Sequence, residues 1–268
     1  MSKKNLIILK IGGSVVTDKK NDQEKIRRKD LERISTEIAQ ARKRNKFSLI
    51  IIHGAGVFGH KIANKFDLNK GYKNKSQIKA ISKLRQNLKR LNSEIEKSLN
   101  GKGLFTVTFQ QSSAWRLNKR ILLDSNLTIL EKYISLDLVP VLYGDILIDD
   151  KLKFSILSGD QIVYYLSKKL RAKKVIIGTD LDGIFESDPK INKNAKLIKK
   201  VNSNNIKSLL LGQSLSTDVT NGMKGKVNEL IKLTKYDIES EIINISKPNI
   251  LKKSLSGQKG LGTIIETI

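Results

Sequence analysis

Two short stretches carry the residue types best suited to chemistry. LKIGGSVVTDK fills positions 9–19, and HGAGVFGH fills positions 53–60. The chain has only two histidines, His53 and His60, and they bracket the second stretch. Gly12 and Gly13 follow Lys10 in the first stretch, and Gly54, Gly56 and Gly59 lie between the histidines. Glycine leaves backbone N–H groups open to an anion with no side chain in the way. A helix N-terminus behind such a loop adds a favourable dipole. Lys10 and Lys19 place positive charge on either side of Gly12-Gly13-Ser14. Phosphoryl transfer consists largely of positioning the phosphates and neutralising the oxygens in flight. If the two loops end neighbouring strands, they face each other and can hold two phosphates, one from a donor and one from an acceptor. The plainer reading of either loop is a tight strand-to-helix turn. The plainer reading of any one lysine is a solvated surface charge.

Other motif readings fit less well. Gly54 to Gly59 matches G-x-G-x-x-G, but a dinucleotide site also wants an acidic residue about 20 positions on. Between His60 and Glu94 the only acid is Asp67, which comes too early. The Walker A pattern does not occur. The helical zinc pattern needs two histidines four residues apart with a glutamate between them, which His53 and His60 do not provide. No protein-held metal is therefore expected. The chain contains no cysteine, which excludes a disulfide, a thiolate metal site and a cysteine nucleophile, and fits a reducing cytoplasm.

The elements that must carry these loops alternate between strand and helix signals, the pattern of an α/β fold. Leu6–Ile11 and Leu49–Ile52 are continuous apolar runs ending at the two loops, and read as buried strands. Leu31, Ile34, Ile38 and Ala41 recur at helical spacing, as do Ile78, Ile81, Leu84, Leu88, Leu91 and Ile95. Strands are predicted at 104–109, 138–142, 174–177, 241–245 and 263–266, and a hairpin around Asp149-Asp150. Helices are predicted over 161–170 and 223–236. The N-terminal apolar run is too short for a signal peptide, and no run reaches the roughly 18 residues of a membrane span.

The formal charge of +25 raises nucleic acid as a partner. The basic residues are 41 lysines and 10 arginines, scattered along the chain, and aromatics are only 5%. Nucleic-acid readers favour the arginine fork and aromatic stacking. No specific nucleic-acid function is expected, and the charge serves at most to attract small anionic substrates.

Taken together, the two stretches and the later VPVLYGD, SGDQ, GTDLDGIFESDP and DVTNGMKGKV resemble the amino acid kinase superfamily, and within it the isopentenyl phosphate kinases. The F-G-H ending of the second loop is narrower than the other motifs and resembles both the isopentenyl phosphate kinases and the related fosfomycin-phosphorylating kinases. The resemblance runs over nearly the whole chain. It implies a three-layer α/β sandwich with a mainly parallel central sheet, forming one domain over 1–268. The acceptor lobe would span about 1–170 and the ATP lobe about 171–268. It implies Mg-ATP-dependent phosphorylation of isopentenyl phosphate to isopentenyl diphosphate in the cytoplasm, with Mg2+ carried by the nucleotide and a homodimer as a common assembly. The alternative within the fold is a kinase acting on fosfomycin, another phosphonate or an acidic amino acid.

The resemblance also assigns residues. Lys10 would contact the transferred phosphate and Lys19 would stabilise the transition state, with Lys20 as a rival. Gly12, Gly13, Ser14 and Gly56 would cradle the ATP phosphates. Asp180, Gly222 and Lys226 would border the nucleotide. Ala55 and Gly159 would give backbone N–H groups to the acceptor, Asp160 would orient the lysines, and His60 would donate to the acceptor phosphate. His53 would support the loop from below. Ala55, Val57 and Asn221 depart from the family pattern. Ala55 keeps its N–H group, so its contact to the anion survives if its φ is negative, Val57 loses a hydroxyl, and Asn tolerates positive φ.

Overall fold

The structure, a computed structural model, describes residues 5–18, 24–189, 191–202, 204–206 and 218–267. The first half runs β1 (Leu6–Ile11), α1 (Gly13–Val16), α2 (Arg28–Arg44), β2 (Ser48–His53), α3 (His60–Lys65), α4 (Ser76–Asn100), β3 (Thr106–Thr108) and α5 (Gln111–Ala114). It continues through β4 (Leu117–Asn118), β5 (Ile121–Leu122), α6 (Thr128–Ser135), β6 (Val139–Tyr143), β7 (Asp145–Asp149), β8 (Lys153–Leu157) and α7 (Gly159–Leu170). The rest comprises β9 (Lys174–Thr179), β10 (Ile184–Phe185), β11 (Leu197–Ile198), β12 (Lys200–Val201), α8 (Asp218–Ile231), β13 (Glu239–Asn244), α9 (Ile250–Leu255) and β14 (Thr263–Ile265).

Eight strands form the central sheet in the order β12-β14-β13-β9-β1-β2-β6-β3. Its pairs are parallel except β13 with β14, which is antiparallel. β1 lies in the middle, and the chain winds outward from it in both directions. Such a point of reversal leaves a crevice at the C-terminal strand ends, where ligands of open α/β sheets bind. A smaller sheet, β5-β4-β7-β8, carries the hairpin expected around Asp149. The predicted strand at 263–266 is the one that runs against its neighbour.

Helices cover both faces of the sheet. Ile7, Leu9 and Ile11 of β1 share one core with Leu31, Ile34 and Ile38 of α2, Leu84 and Leu88 of α4, and Leu251 of α9. Leu6 and Ile8 share the other with Ile162 and Leu166 of α7 and Val227 of α8. This is the three-layer sandwich expected from the sequence. The predicted helix over 223–236 instead stops at Ile231, followed by a single 3-10 turn at Thr234–Tyr236. Of the apolar stripe on α4, Leu84, Leu88, Leu91 and Ile95 are core residues, whereas Ile78 is 55% exposed. No helix among the described residues is long and apolar enough to cross a membrane.

Candidate active site

Strand parity decides what reaches the centre of the crevice. Lys10 has the parity of Leu6 and Ile8, so its side chain enters the α7 side of the sheet. There it meets Asp160, in the first turn of α7, with Nζ 2.5 Å from Oδ1. Lys10 is only 5% exposed. Burial lowers its pKa below the usual lysine value, Asp160 pulls it back up, and Lys226 of α8 pushes it down again. The lysine is thus placed where removal of the carboxylate would leave an uncompensated buried charge.

SGDQ is a helix-start signal with a chemical consequence. Ser158 Oγ accepts from the N–H of Gln161 at 3.2 Å, and Gln161 Oε1 accepts from the N–H of Ser158 at 2.9 Å, a reciprocal cap. The cap fixes the first turn and with it Asp160. A Cβ on Gly159 would lie 3.2 Å from Lys10 Cε, so a larger residue there would crowd the lysine.

The two glycine loops end the adjacent strands β1 and β2, paired in parallel with Ile11 opposite His53. The loops lie back to back. A Cβ on Gly54 would sit 2.6 Å from the Gly13 nitrogen, and one on Gly13 would sit 2.6 Å from the Gly56 Cα. Gly54 donates to Ile11 O at 2.9 Å, and Gly12 donates to Gly178 O of β9 at 2.8 Å. Gly56 has φ +51° and faces the Thr17 side chain, so it needs to be glycine on both counts. Ala55 has φ −69° and accommodates its methyl without backbone strain. Ser14 Oγ donates to Asp180 Oδ1 at 2.8 Å, joining the first loop to the turn after β9.

The histidines have different surroundings. His53 is fully buried, stacked on Tyr143 with ring centroids 5.1 Å apart. Its ring nitrogens lie 3.2 Å from Gly54 O and 3.2 Å from Asn92 Oδ1. Burial pushes its pKa down to about 4, against the opposing effect of those two oxygens. It lies beneath the loop, where burial disfavours its charged form. His60 is exposed and begins α3, directly after Gly59.

The fold therefore gathers Lys10, Gly12, Gly13, Ser14, Ala55, Gly56, Gly159, Asp160, Asp180 and Lys226 around one crevice, with His60 closing the second loop. Gly222 lies in the backbone of α8, as does Asn221. Lys19 and Lys20 lie outside the described residues. Thr17 is a contributor that motif reading passed over. Its hydroxyl donates to Gly13 O at 2.7 Å and accepts from the N–H of Val57 at 3.3 Å, stitching the two loops together. The available signal was its place four residues after Gly13, one helical turn on.

A sheet wound outward from β1, with paired glycine loops and a buried lysine at its carboxyl edge, has the architecture of a small-molecule kinase. The chain belongs to the amino acid kinase family, whose model matches residues 5–244. It is 38% identical to the isopentenyl phosphate kinase of Methanothermobacter thermautotrophicus, over 97% of this chain and 98% of that relative. It is 35% identical to the isopentenyl phosphate kinase of Methanocaldococcus jannaschii, over 94% of this chain and 96% of that relative. A solved structure of an isopentenyl phosphate kinase superposes with a TM-score of 0.84 at 33% identity, covering 97% of this chain and 100% of the other.

Proposed function

We propose that this chain transfers the γ-phosphate of ATP to isopentenyl phosphate, giving isopentenyl diphosphate and ADP. The observation that carries the proposal is the abutment of the Gly13 and Gly54 loops over the Lys10–Asp160 pair. Two glycine loops in contact, at the ends of neighbouring strands one of which carries a buried cation, suit two phosphates approaching one another. Full-length similarity to isopentenyl phosphate kinases, and the HGAGVFGH loop ending in His60, support the acceptor.

In this reading Gly13, Ser14 and Gly56 hold the ATP phosphates, with Asp180, Gly222 and Lys226 bordering the nucleotide. Gly12, whose N–H is taken by Gly178 O, ties the loop to β9 rather than donating to the phosphates. Ala55 and Gly159 present N–H groups to the acceptor phosphate, and His60 donates to it from the loop's end. Lys10 follows the transferred group, oriented by Asp160, and Lys19 meets the charge that develops in flight. Mg2+ carried by the nucleotide would neutralise part of the phosphate charge. Asp160 and Asp180, the carboxylates at the loops, are already engaged with Lys10 and Ser14. We place the enzyme in the cytoplasm, where ATP is supplied. We also propose a homodimer, since β3 forms an edge of the large sheet and Phe105 beside it is 70% exposed.

The test is an ATP-consumption screen with isopentenyl phosphate, dimethylallyl phosphate, fosfomycin, glutamate, aspartate, carbamate and UMP. Turnover is expected with isopentenyl phosphate. Robust turnover on fosfomycin or an amino acid, with none on isopentenyl phosphate, would replace the acceptor by that alternative.

A further inference from the structure

Arg33 lies on α2, between the two glycine loops in sequence, and no motif contains it. Its guanidinium nevertheless grips three consecutive backbone carbonyls of the segment after β13. One terminal nitrogen lies 2.9 Å from Ile245 O and 3.2 Å from Ser246 O, and the other lies 3.4 Å from Lys247 O. The fork is held in place by Asp30 at 3.2 Å and by the buried Glu37 at 3.0 Å. Glu37 also accepts from the N–H groups of Asn249 at 2.9 Å and Lys252 at 3.2 Å, at the start of α9. Lysine offers a single point charge and lacks this planar fork.

The gripped segment in turn backs the turn after β9. The Ile245 N–H donates to Thr179 O at 3.0 Å. Its side chain fills the space over Gly178, where a Cβ would lie 2.8 Å from Ile245 Cγ1. Gly178 O is the acceptor for the Gly12 N–H, at the first glycine loop. Asn244 donates to Asp182 Oδ1 at 3.0 Å while its own Oδ1 accepts from the Ser246 N–H at 3.0 Å. Lys247 Nζ lies 2.7 Å from Asp182. The 178–183 turn is thus held by Gly12 and Ser14 on one side and by residues 244–247 on the other. Only the second side is anchored to Arg33.

We propose that Arg33 is a positioning residue for the nucleotide. By fixing 245–247 from the opposite half of the chain, it sets the distance between the Gly12 loop and the Asp180 turn, and so the width of the nucleotide site. This rests on the kinase reading above, but not on the identity of the acceptor. The acceptor loop hangs from β2 and does not touch the Arg33 cluster in any of these contacts.

Binding of a non-hydrolysable ATP analogue by calorimetry, together with steady-state kinetics and thermal melts, tests the proposal. Arg33→Ala is expected to weaken analogue binding roughly tenfold and raise KM for ATP by the same factor, since small misplacements in a binding site are costly. KM for the acceptor is expected to stay within about twofold. Arg33→Lys, a milder change that preserves charge and fold, is expected to fall between Arg33→Ala and wild type. A lowered melting temperature with unchanged analogue affinity in both variants would make Arg33 a merely structural tie and overturn the proposal. Equal losses toward ATP and acceptor would do the same. A wild-type chain that fails to bind the analogue overturns both this proposal and the kinase reading. One that binds it but does not turn over isopentenyl phosphate overturns the acceptor assignment alone, and the analogue measurement still decides the role of Arg33.

Discussion

Gly13 and Gly56 are packed so closely that a Cβ on the first would lie 2.6 Å from the Cα of the second. Two loops 43 residues apart in sequence have become one surface. No flexible side-chain tip is involved, so the strain of an added methyl cannot be relieved by rotation. Gly13→Ala is expected to separate the loops and reduce kcat/KM at least about 100-fold. The accompanying stability loss should be only about 1–3 kcal/mol, typical of overpacking. Kinetics alongside a urea melt measure both; near-wild-type turnover would show that the abutment is incidental.

The Lys10–Asp160 pair predicts a change in pH dependence. Lys10 is charged below its folded pKa and loses its charge as pH rises through it. Burial already lowers that pKa, and Asp160 opposes the shift. Asp160→Asn removes the opposing partner, so the pKa falls further. The alkaline limb of the kcat profile should move to lower pH, and kcat at neutral pH should fall at least about tenfold. An unmoved alkaline limb would mean that Lys10 is not the group whose charge the reaction needs.

The proposed role of His60 distinguishes acceptor from nucleotide binding. It closes the loop proposed to hold the acceptor and is exposed at the start of α3. His60→Ala is expected to raise KM for isopentenyl phosphate at least about tenfold while KM for ATP stays nearly unchanged. His60→Gln keeps a donor and should be milder. Equal activity of wild type and His60→Ala on isopentenyl phosphate would remove the main residue-level reason for that acceptor.

His53 should be visible in stability. Its pKa falls from the ordinary 6.5 to about 4 in the folded chain. Between those values the unfolded state binds the proton and the native state does not, so stability declines as pH falls from 6.5 toward 4. The contribution is roughly 3 kcal/mol by pH 4, taking 1.36 kcal/mol per unit. His53→Gln should flatten this part of the pH–stability curve relative to wild type in urea melts.

Asp149 stabilises the small sheet. Its buried carboxylate accepts from the N–H groups of Lys119, Arg120, Lys151 and Leu152 and from the Ser155 hydroxyl. Burial alone would raise its pKa, but these donors outweigh it and hold the pKa far below the usual carboxylate range. Asp149 therefore contributes full stability above the unfolded aspartate pKa and loses it only in strong acid. Asp149→Ala should lower stability by about 1–3 kcal/mol through the orphaned donors, measured at neutral pH.

Much of this protein was fixed by local sequence. Mostly apolar runs such as LIILKI and SLIIIH specify strands buried on both faces. The 3.6-residue spacing of Leu84, Leu88, Leu91 and Ile95 specifies the helix that covers one face. Strand parity alone puts Lys10 opposite to Leu9 and Ile11. The glycine loops are legible because glycine is needed where backbones meet or φ is positive, and Ser158 with Gln161 announces the start of α7. What local sequence did not decide is which elements lie side by side. Placing β1 between β2 and β9 brings Gly13 against Gly54, Gly12 to Gly178, and Ser14 to Asp180. It also puts Asp160 and Lys226, more than 140 residues away, beside Lys10. The two histidines of one octapeptide part company for the same reason. His53 ends an interior strand and is buried to neutrality under Tyr143, while His60, seven residues on, has left the sheet and faces outward. Burial and long-range charge are properties of packing, and a one-dimensional pattern holds neither. Arg33 shows this most plainly. On its own helix it is one more surface cation, and only the return of the chain after β13 gives its guanidinium three carbonyls to hold.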